Sequence, residues 1–509
     1  MAKEKIKTLK ELGKIVRKLK KEGKKIVHCH GVFDLIHPGH IRHLSSAKKY
    51  GDILVVTITA DEYVKKGPGR PIFKEDLRAE FLAALVHVDF VAINNSESAE
   101  EAIKKLKPDF YVKGPDYKDR KVPKGIPTKL TGEQEAIISV GGKLLYTDDI
   151  IFSSSKLIND YLESYPPKLK EFLSNFKSKY SADFIVEKLM TLAQLKILVV
   201  GDAIIDQYDF CLPMGKSSKE PIIVHKHIFE ESYLGGALAT ANNVASLCKS
   251  VNILSVLGKK QSFESFILKK LKPEVIPTFF FRDDADTIIK RRFVDASTKQ
   301  KLFQISMIKD DFIPEKVEKK ILAYLKREIN KFDLVIVNDF GHGMLTDRII
   351  RSLCRKAKYL ALNVQANSAN YGFNIITKYS PADYVCIDEQ ELRLATHDKY
   401  SALEKLIKRI FKKMNCRDII VTRGAEGSLS YSKDSGFIEV PSMTQRIVDR
   451  MGAGDTLFAI TSPCVYARFD KEIVPFLGNV AGAIKVQNIG NRDTAGLAEI
   501  TKFITRLLK

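Results

Sequence analysis

No two cysteines in this chain stand in a Cys-x-x-Cys spacing. The seven that occur, Cys29, Cys211, Cys248, Cys354, Cys386, Cys416 and Cys464, are scattered and odd in number, which argues against a disulfide framework or a zinc site. They read as reduced thiols, several of them core filler. No apolar run approaches the roughly 18 residues of a membrane span, and the N-terminus lacks a hydrophobic signal core. The expected compartment is therefore the cytoplasm, with no membrane partner. Low-complexity tracts and internal repeats are missing, and prolines number only 18, so the chain does not read as disordered. Its 45% apolar residues supply cores, and 509 residues call for two or three domains of about 100 to 200 residues each.

Acidic residues are also in short supply. Asp and Glu number 62 against 83 Lys and Arg, a formal net charge of +21, which is the composition of a protein that could bind nucleic acid through its phosphates. The excess is mostly lysine and is spread over both halves. At the front, lysines flank Leu9, Leu12, Ile15, Val16 and Leu19, one apolar face of a helix opened by a capping box at Thr8 and Glu11. Such a face packs inward and leaves the lysines in solvent, so no nucleic-acid partner is expected unless the lysines gather into a stripe.

What is present points to phosphate chemistry. A strand from Lys25 to His30 runs into Gly31-Val32-Phe33-Asp34-Leu35-Ile36-His37-Pro38-Gly39-His40, and a helix is predicted to begin near His40. Amides at a helix start are unpaired and partly positive, and two imidazoles three residues apart can donate to phosphate oxygens as charge builds in a transition state. Further blocks follow: Lys66-Gly67-Pro68-Gly69-Arg70-Pro71, Arg78, Val88-Asp89-Phe90-Val91, Lys113-Gly114-Pro115-Asp116-Tyr117, and Phe152-Ser153-Ser154-Ser155-Lys156-Leu157-Ile158.

In this order the blocks resemble the cytidylyltransferase-like nucleotidyltransferases, most closely the nucleotidyltransferase half of the bifunctional ADP-heptose synthases, over residues 1–160. The resemblance implies a Rossmann-like α/β domain in which His37, His40 and Lys66 are catalytic. Gly31, Phe33, Asp34 and Gly39 would form the nucleotide turn, and Arg78 with Lys66 would neutralise the outer phosphates. Lys113, Gly114 and Asp116 would face the nucleotide or sugar. Ser153, Ser154 and Ser155 would hold a second phosphate at a helix start. Asp34 can equally serve by fixing its own turn.

Residues 161–192, with Pro166-Pro167 and then Leu169, Phe172, Leu173 and Phe176 among charges, read as a helical linker. A new unit, 193–509, begins at the apolar strand Lys196 to Val200, followed by Gly201-Asp202. Near its end, Asp449-Arg450-Met451-Gly452-Ala453-Gly454-Asp455-Thr456 precedes the apolar stretch Leu457 to Ile460 and reads as a glycine loop opening a helix. Its amides can approach a phosphate closely, and the Asp455 carboxylate can take a proton from an attacking hydroxyl. Ile53 to Thr59, Leu334 to Asn338 and Ile419 to Thr422 read as buried parallel strands, which makes both units α/β.

This second unit resembles the PfkB, or ribokinase-like, sugar kinases through Gly201-Asp202-x-x-x-Asp206, Gly235-Gly236-Ala237, Asp339-Phe340-Gly341-His342-Gly343, Val421 to Gly427 and the Gly452 loop. Again the kinase half of ADP-heptose synthases is nearest, with the two halves here in reverse order. The resemblance implies Asp455 as general base and the amides of Gly452, Ala453 and Gly454 as an anion hole. It implies Asp206, Gly235, Gly236, Asn243 and Arg292 at the sugar, and Gly424 and Gly427 on the ATP side. Three departures stand out: Ala239 where an asparagine touches sugar, Asn363-Val364-Gln365 where relatives have Asp-Pro-Lys, and His342 where lysine is common.

The expected function is synthesis of a nucleotide-activated sugar. ATP would phosphorylate a heptose-like sugar or sugar phosphate in the second unit, and the first would transfer a nucleotidyl group from ATP or CTP with release of pyrophosphate. Mg2+ is expected as cofactor, held by waters and substrate oxygens without a protein cage. The small-molecule partners are an NTP and a sugar phosphate, and a homo-oligomer is expected. A nucleotidyltransferase with a silent, metabolite-sensing kinase-like half remains an alternative, as does a basic nucleic-acid-binding protein.

Overall fold

The computed structural model describes residues 3–64, 70–114, 129–147, 165–309, 311–444, 447–492 and 494–508. Lys66, Asp116, Ser153, Ser154 and Ser155 lie outside them. The chain divides into two compact units, Met1–Lys170 with Thr505–Lys509, and Glu171–Ile504.

The first unit is built on five parallel strands, β1 Ile26–Gly31, β2 Ile53–Thr59, β3 Phe90–Asn94, β4 Phe110–Lys113 and β5 Lys143–Tyr146. They stand in the order β3-β2-β1-β4-β5. The helix Pro38–Lys48 joins β1 to β2, Glu75–Ala83 joins β2 to β3, Glu100–Leu106 joins β3 to β4, and Lys129–Ser139 joins β4 to β5. Alternation along the strands sends Val27, Cys29, Leu54, Val56 and Ile58 to one face and Ile26 and Val55 to the other, so both faces are covered. Leu12 and Val16 of the helix Leu9–Lys21 are fully buried on the second face, and the capping box at Thr8 forms as its sequence predicts. Because the chain leaves β1 toward β2 and later returns to its other side as β4, a crevice opens at the C-terminal ends of β1 and β4. The histidine turn follows β1 there.

The second unit contains a nine-stranded sheet and a four-stranded one. The large sheet uses β6 Lys196–Gly201, β9 Ser250–Gly258, β10 Val275–Arg282, β13 Leu334–Asp339, β14 Leu360–Val364, β15 Tyr384–Asp388, β16 Asp418–Thr422, β17 Ser428–Ser432 and β18 Gly436–Val440. Its order is β10-β9-β6-β13-β14-β15-β16-β17-β18, parallel as far as β16 and antiparallel beyond. The small sheet has the order β12-β11-β7-β8, from β7 Ala203–Lys216, β8 Ile223–Gly235, β11 Ile288–Asp295 and β12 Lys301–Met307. β6 and β13 lie so close that a Cβ on Gly201 would stand 2.0 Å from the Asn338 carbonyl oxygen, which restricts that position to glycine.

Helices Pro167–Lys179 and Ala182–Thr191 occupy most of the stretch read as a linker. Phe176 stacks on Phe476 with ring centroids 4.3 Å apart, inside the second unit. Among the described residues no helix is long and apolar enough to cross a membrane.

Candidate functional site

In the first unit the site begins where β1 ends. Gly31 packs its bare Cα against the Phe33 ring, and Phe33 itself takes a left-handed backbone, φ 48°, which turns the chain sharply out of the sheet. His37 is the N-cap of the helix Pro38–Lys48, with Pro38 supplying the preset first-turn φ. Its Nδ1 accepts from the Gly39 amide at 3.2 Å. A neutral His37 ring must then carry its proton on Nε2. Burial lowers the His37 pKa, so the neutral form prevails at pH 7. The rings of His37 and His40 stack at 4.0 Å, and Phe33 meets His40 edge-on at 5.2 Å. The two histidines are brought together, as the motif implied.

Around that pair the basic residues have a different place from the one expected. Arg78 has no exposed surface and uses its guanidinium internally: Nε donates to the Phe73 carbonyl, Nη1 to Val32, and Nη2 to the Thr59 carbonyl and to Asp61 Oδ1 at 2.6 Å. It braces the turn and the end of β2 from inside the fold. The expected direct contact with outer phosphates is thereby replaced by a bracing one. Asp34 is 1% exposed, accepts from Arg70 Nη1 at 3.0 Å and from the Ile72 amide at 2.6 Å, and so ties the turn to the segment after β2. Lys113, at the end of β4 before Gly114, is buried and pairs with Glu133 at 2.8 Å.

Sequence reading missed the polar core beneath. His28 Nε2 and His30 Nδ1 both lie 2.8 Å from Thr57 Oγ1, and His43, one helical turn beyond His40, lies 2.9 Å from Thr147 Oγ1. Burial pushes the His28 pKa down to about 3, so it is neutral. His43 was detectable, since it stands three residues beyond His40 on the same helix. Glu133 was not, because only the fold carries it to Lys113.

In the second unit the helix Ala453–Tyr466 starts after Gly452, whose φ is 74°. A Cβ there would meet Asn491 Oδ1 at 2.6 Å, whereas one on Gly454 would meet nothing within 4 Å. Open space thus borders the first turn of this helix, as a phosphate cradle requires. Asp455 sits in this first turn. Its Oδ1 accepts from Asn338 Nδ2 at 3.1 Å and from Gln365 Nε2 at 2.5 Å. Burial raises its pKa, with Asp206 adding to the rise while Asn338, Gln365 and Lys290 oppose it. Such a carboxyl takes up a proton more readily than a free one, as a general base must.

Asp206 lies across from it on β7, held by Arg292 Nη1 at 2.5 Å and by Asn491 Nδ2 at 3.5 Å. A Cβ on Gly235 would come within 2.4 Å of Asp206 Oδ2, and one on Gly236 within 2.4 Å of the Asp202 carbonyl oxygen; only a glycine pair permits both approaches. Asn243 stands apart from this group. Its amide donates to the Ala239 carbonyl and to Thr456 Oγ1 and its oxygen accepts from the Ala495 amide, so it braces helices instead of facing the sugar. Gly427, φ 93°, packs where a Cβ would lie 2.1 Å from the Val440 carbonyl oxygen, while Gly424, φ 56°, borders open space. Missed by the sequence reading was the post under the Gly452 loop. Asp449 accepts from Lys301 Nζ at 2.5 Å, from Tyr208 Oη at 3.2 Å and from the amides of Met451 and Gly490.

Comparison with known proteins finds two families along the chain. Residues 194–495 match the family model of the pfkB family carbohydrate kinases, and residues 28–160 that of the cytidylyltransferase-like proteins. The bifunctional protein HldE of Campylobacter jejuni strain RM1221 is 47% identical over 299 residues, 58% of this chain and 62% of that one. HldE of Desulfatibacillum aliphaticivorans is 38% identical over 159 residues, 31% of each chain. The matches thus span under two thirds of these curated relatives' length. Escherichia coli phosphofructokinase-2 in complex with substrates and products superposes with a TM-score of 0.51 at 12% identity, covering 62% of this chain and 100% of that one, a likeness of fold.

Proposed function

We infer, since this chain belongs to the pfkB family of carbohydrate kinases, that its second unit phosphorylates a sugar with ATP and that its first unit transfers a nucleotidyl group onto the sugar phosphate. The observation that carries the reading is Asp455, a buried carboxylate of raised pKa in the first turn of a helix beside the open space at Gly454. An acceptor hydroxyl held by Asp206 gives its proton to Asp455 and attacks the γ-phosphorus. The amides of Gly452, Ala453 and Gly454 receive the phosphoryl oxygens, and the turn at Gly424 and Gly427 borders the nucleotide. The acceptor is a heptose-like sugar or sugar phosphate. Arg292 orients Asp206 and flanks the acceptor.

In the first unit, the Nε2 proton of His37 and the ring of His40 face the α- and β-phosphates. Charge grows on these oxygens as pyrophosphate leaves, so donors already in place lower the barrier. The turn Gly31, Phe33, Asp34 and Gly39 shapes the pocket, and Lys113 and Gly114 border the nucleotide or sugar. To Lys66, Asp116 and Ser153 to Ser155 the family resemblance assigns the remaining phosphate and sugar contacts. The donor is ATP or CTP.

Magnesium, held by waters and substrate oxygens, would neutralise the polyphosphate charge in both steps. A homo-oligomer belongs to the same reading: all seven residues of β12 are exposed, with Phe303 at 53% and Ile305 at 47%, more apolar surface than one strand of a monomer usually leaves open.

The test is incubation of the protein with Mg2+, each NTP and a panel of sugars and sugar phosphates, with products identified by mass spectrometry. A nucleotide-linked sugar formed from an unphosphorylated anomeric hydroxyl is expected. ATP turnover absent across the panel, with pyrophosphate still released from sugar 1-phosphates, would replace the kinase assignment with a metabolite-sensing one.

A further inference from the structure

Strand β11 carries a lysine that the motifs did not single out. β11 runs parallel to β7 with Lys290 opposite Asp206 and Arg292 opposite Tyr208, and residues two apart on a strand face the same side. Arg292 marks which side that is, because its guanidinium donates to Asp206 Oδ1 at 2.5 Å. Lys290 therefore projects toward the same pocket. Its ammonium lies 5.1 Å from the centroid of the Phe340 ring, and Asp206, Asp202 and Asp455 all act on it electrostatically. Among the described residues none accepts a hydrogen bond from it or pairs with it as an ion.

Lys290 is half-buried and its ammonium, with no protein hydrogen-bond acceptor among the described residues, stays open to the pocket beside carboxylates that favour its charge. An anion brought into the pocket would complete it. The pocket is also where charge must move: Asp455 and the first-turn amides of its helix form one wall, and Lys290 faces them from the small sheet. The two positions where related kinases carry lysine hold His342 and Gln365 in this chain. Gln365 is engaged with Asp455. The cation missing from those positions is available on β11.

We propose that Lys290 is a catalytic residue of the kinase unit, its ammonium donating hydrogen bonds to an oxygen of the phosphoryl group as that group passes from ATP to the acceptor. The proposal rests on the kinase reading above. In the step, the acceptor O–H proton goes to Asp455, the acceptor oxygen forms its bond to the γ-phosphorus, and the bond from that phosphorus to the β-γ bridging oxygen breaks with the electron pair leaving on ADP. Lys290 keeps its protons throughout and acts only on charge.

The experiment uses the full chain, Mg2+, ADP and aluminium fluoride, a stand-in for the phosphoryl group in flight, with affinity measured by calorimetry. In the unsubstituted protein, fluoride and aluminium should tighten ADP binding. Lys290→Met and Lys290→Gln, either of which suffices if the other fails to fold, should lose about 100-fold of that tightening while binding ADP alone within about twofold of the original. Lys290→Arg should restore part of it. Equal tightening in the neutral variants would overturn the role of Lys290 and leave the kinase reading intact. No tightening in the unsubstituted protein would overturn both.

Discussion

Replacing Asp455 by asparagine separates what this carboxylate does for the reaction from what it does to the fold. The change keeps the shape, and the new amide can turn its oxygen toward Asn338 and Gln365, so both hydrogen bonds to that atom survive. What disappears is the base. Loss of a general base lowers kcat by about 10²- to 10⁴-fold, or roughly 2.7 to 5.4 kcal/mol of barrier at ~1.36 kcal/mol per decade. Stability should move the other way. Burial raises the Asp455 pKa in the folded state, so between the unfolded and the folded value the folded protein binds more protons and stability falls as pH rises. Above that window the penalty for the buried charge is complete, and the asparagine does not bear it. At pH 7 the variant should therefore melt at a higher temperature than the original while turning over far more slowly. Sugar-dependent ADP release gives the first quantity and calorimetric melting the second, with pyrophosphate release from supplied sugar 1-phosphate as the control that the first unit is untouched. A kcat within tenfold of the original, or a lowered melting temperature, would refute the reasoning.

Other outcomes follow from the same geometry. Gly454→Ala should leave the melting temperature unchanged, since its Cβ enters open space, yet slow phosphoryl transfer by filling the cradle; Gly427→Ala should cost more than about 1 kcal/mol of stability, because φ 93° and the Val440 carbonyl both oppose a side chain. Chemical denaturation reads both. Arg78→Met should destabilise the first unit by about 3 kcal/mol, leaving Val32 and Thr59 carbonyls and Asp61 without their donor, and a variant as stable as the original would contradict the bracing role. His28, held at about 3 in the folded state against 6.5 for an unperturbed imidazole, contributes stability that is full above 6.5 and is lost as pH falls toward 3. His28→Asn should flatten the acid limb of the stability curve by up to ~1.4 kcal/mol per pH unit across that window, as measured by urea titrations at several pH values.

Much of this protein is legible in its chain because the relevant residues are local to one another. Ile53 to Thr59 is a strand at the limits its apolar run predicts, and the Thr8 capping box opens its helix, since both depend on neighbours within a few positions. His37, Pro38, Gly39 and His40 place two rings together for the same reason, the helix start being written into consecutive residues. The same holds for Gly452 to Asp455. The helix near His40 begins at Pro38, slightly earlier than expected, because His37 caps it through its own side chain.

Where charges end up is another matter. Arg78 reads as a phosphate ligand in the chain and becomes a brace in the fold, since a buried guanidinium must satisfy its donors and the carbonyls of Val32 and Thr59 lie within reach only after β2 and the histidine turn have docked. Lys113 meets Glu133, Asp449 meets Lys301, and Lys290 comes to face Asp455 across distances in sequence that no spacing rule spans. Sequence alone determined buried strands such as Ile53 to Thr59 and helix starts such as those at Pro38 and Ala453, because backbone geometry depends on adjacent residues. Tertiary structure alone decided which ionisable groups reach the pockets, because burial and long-range pairing act only once separate strands have come together.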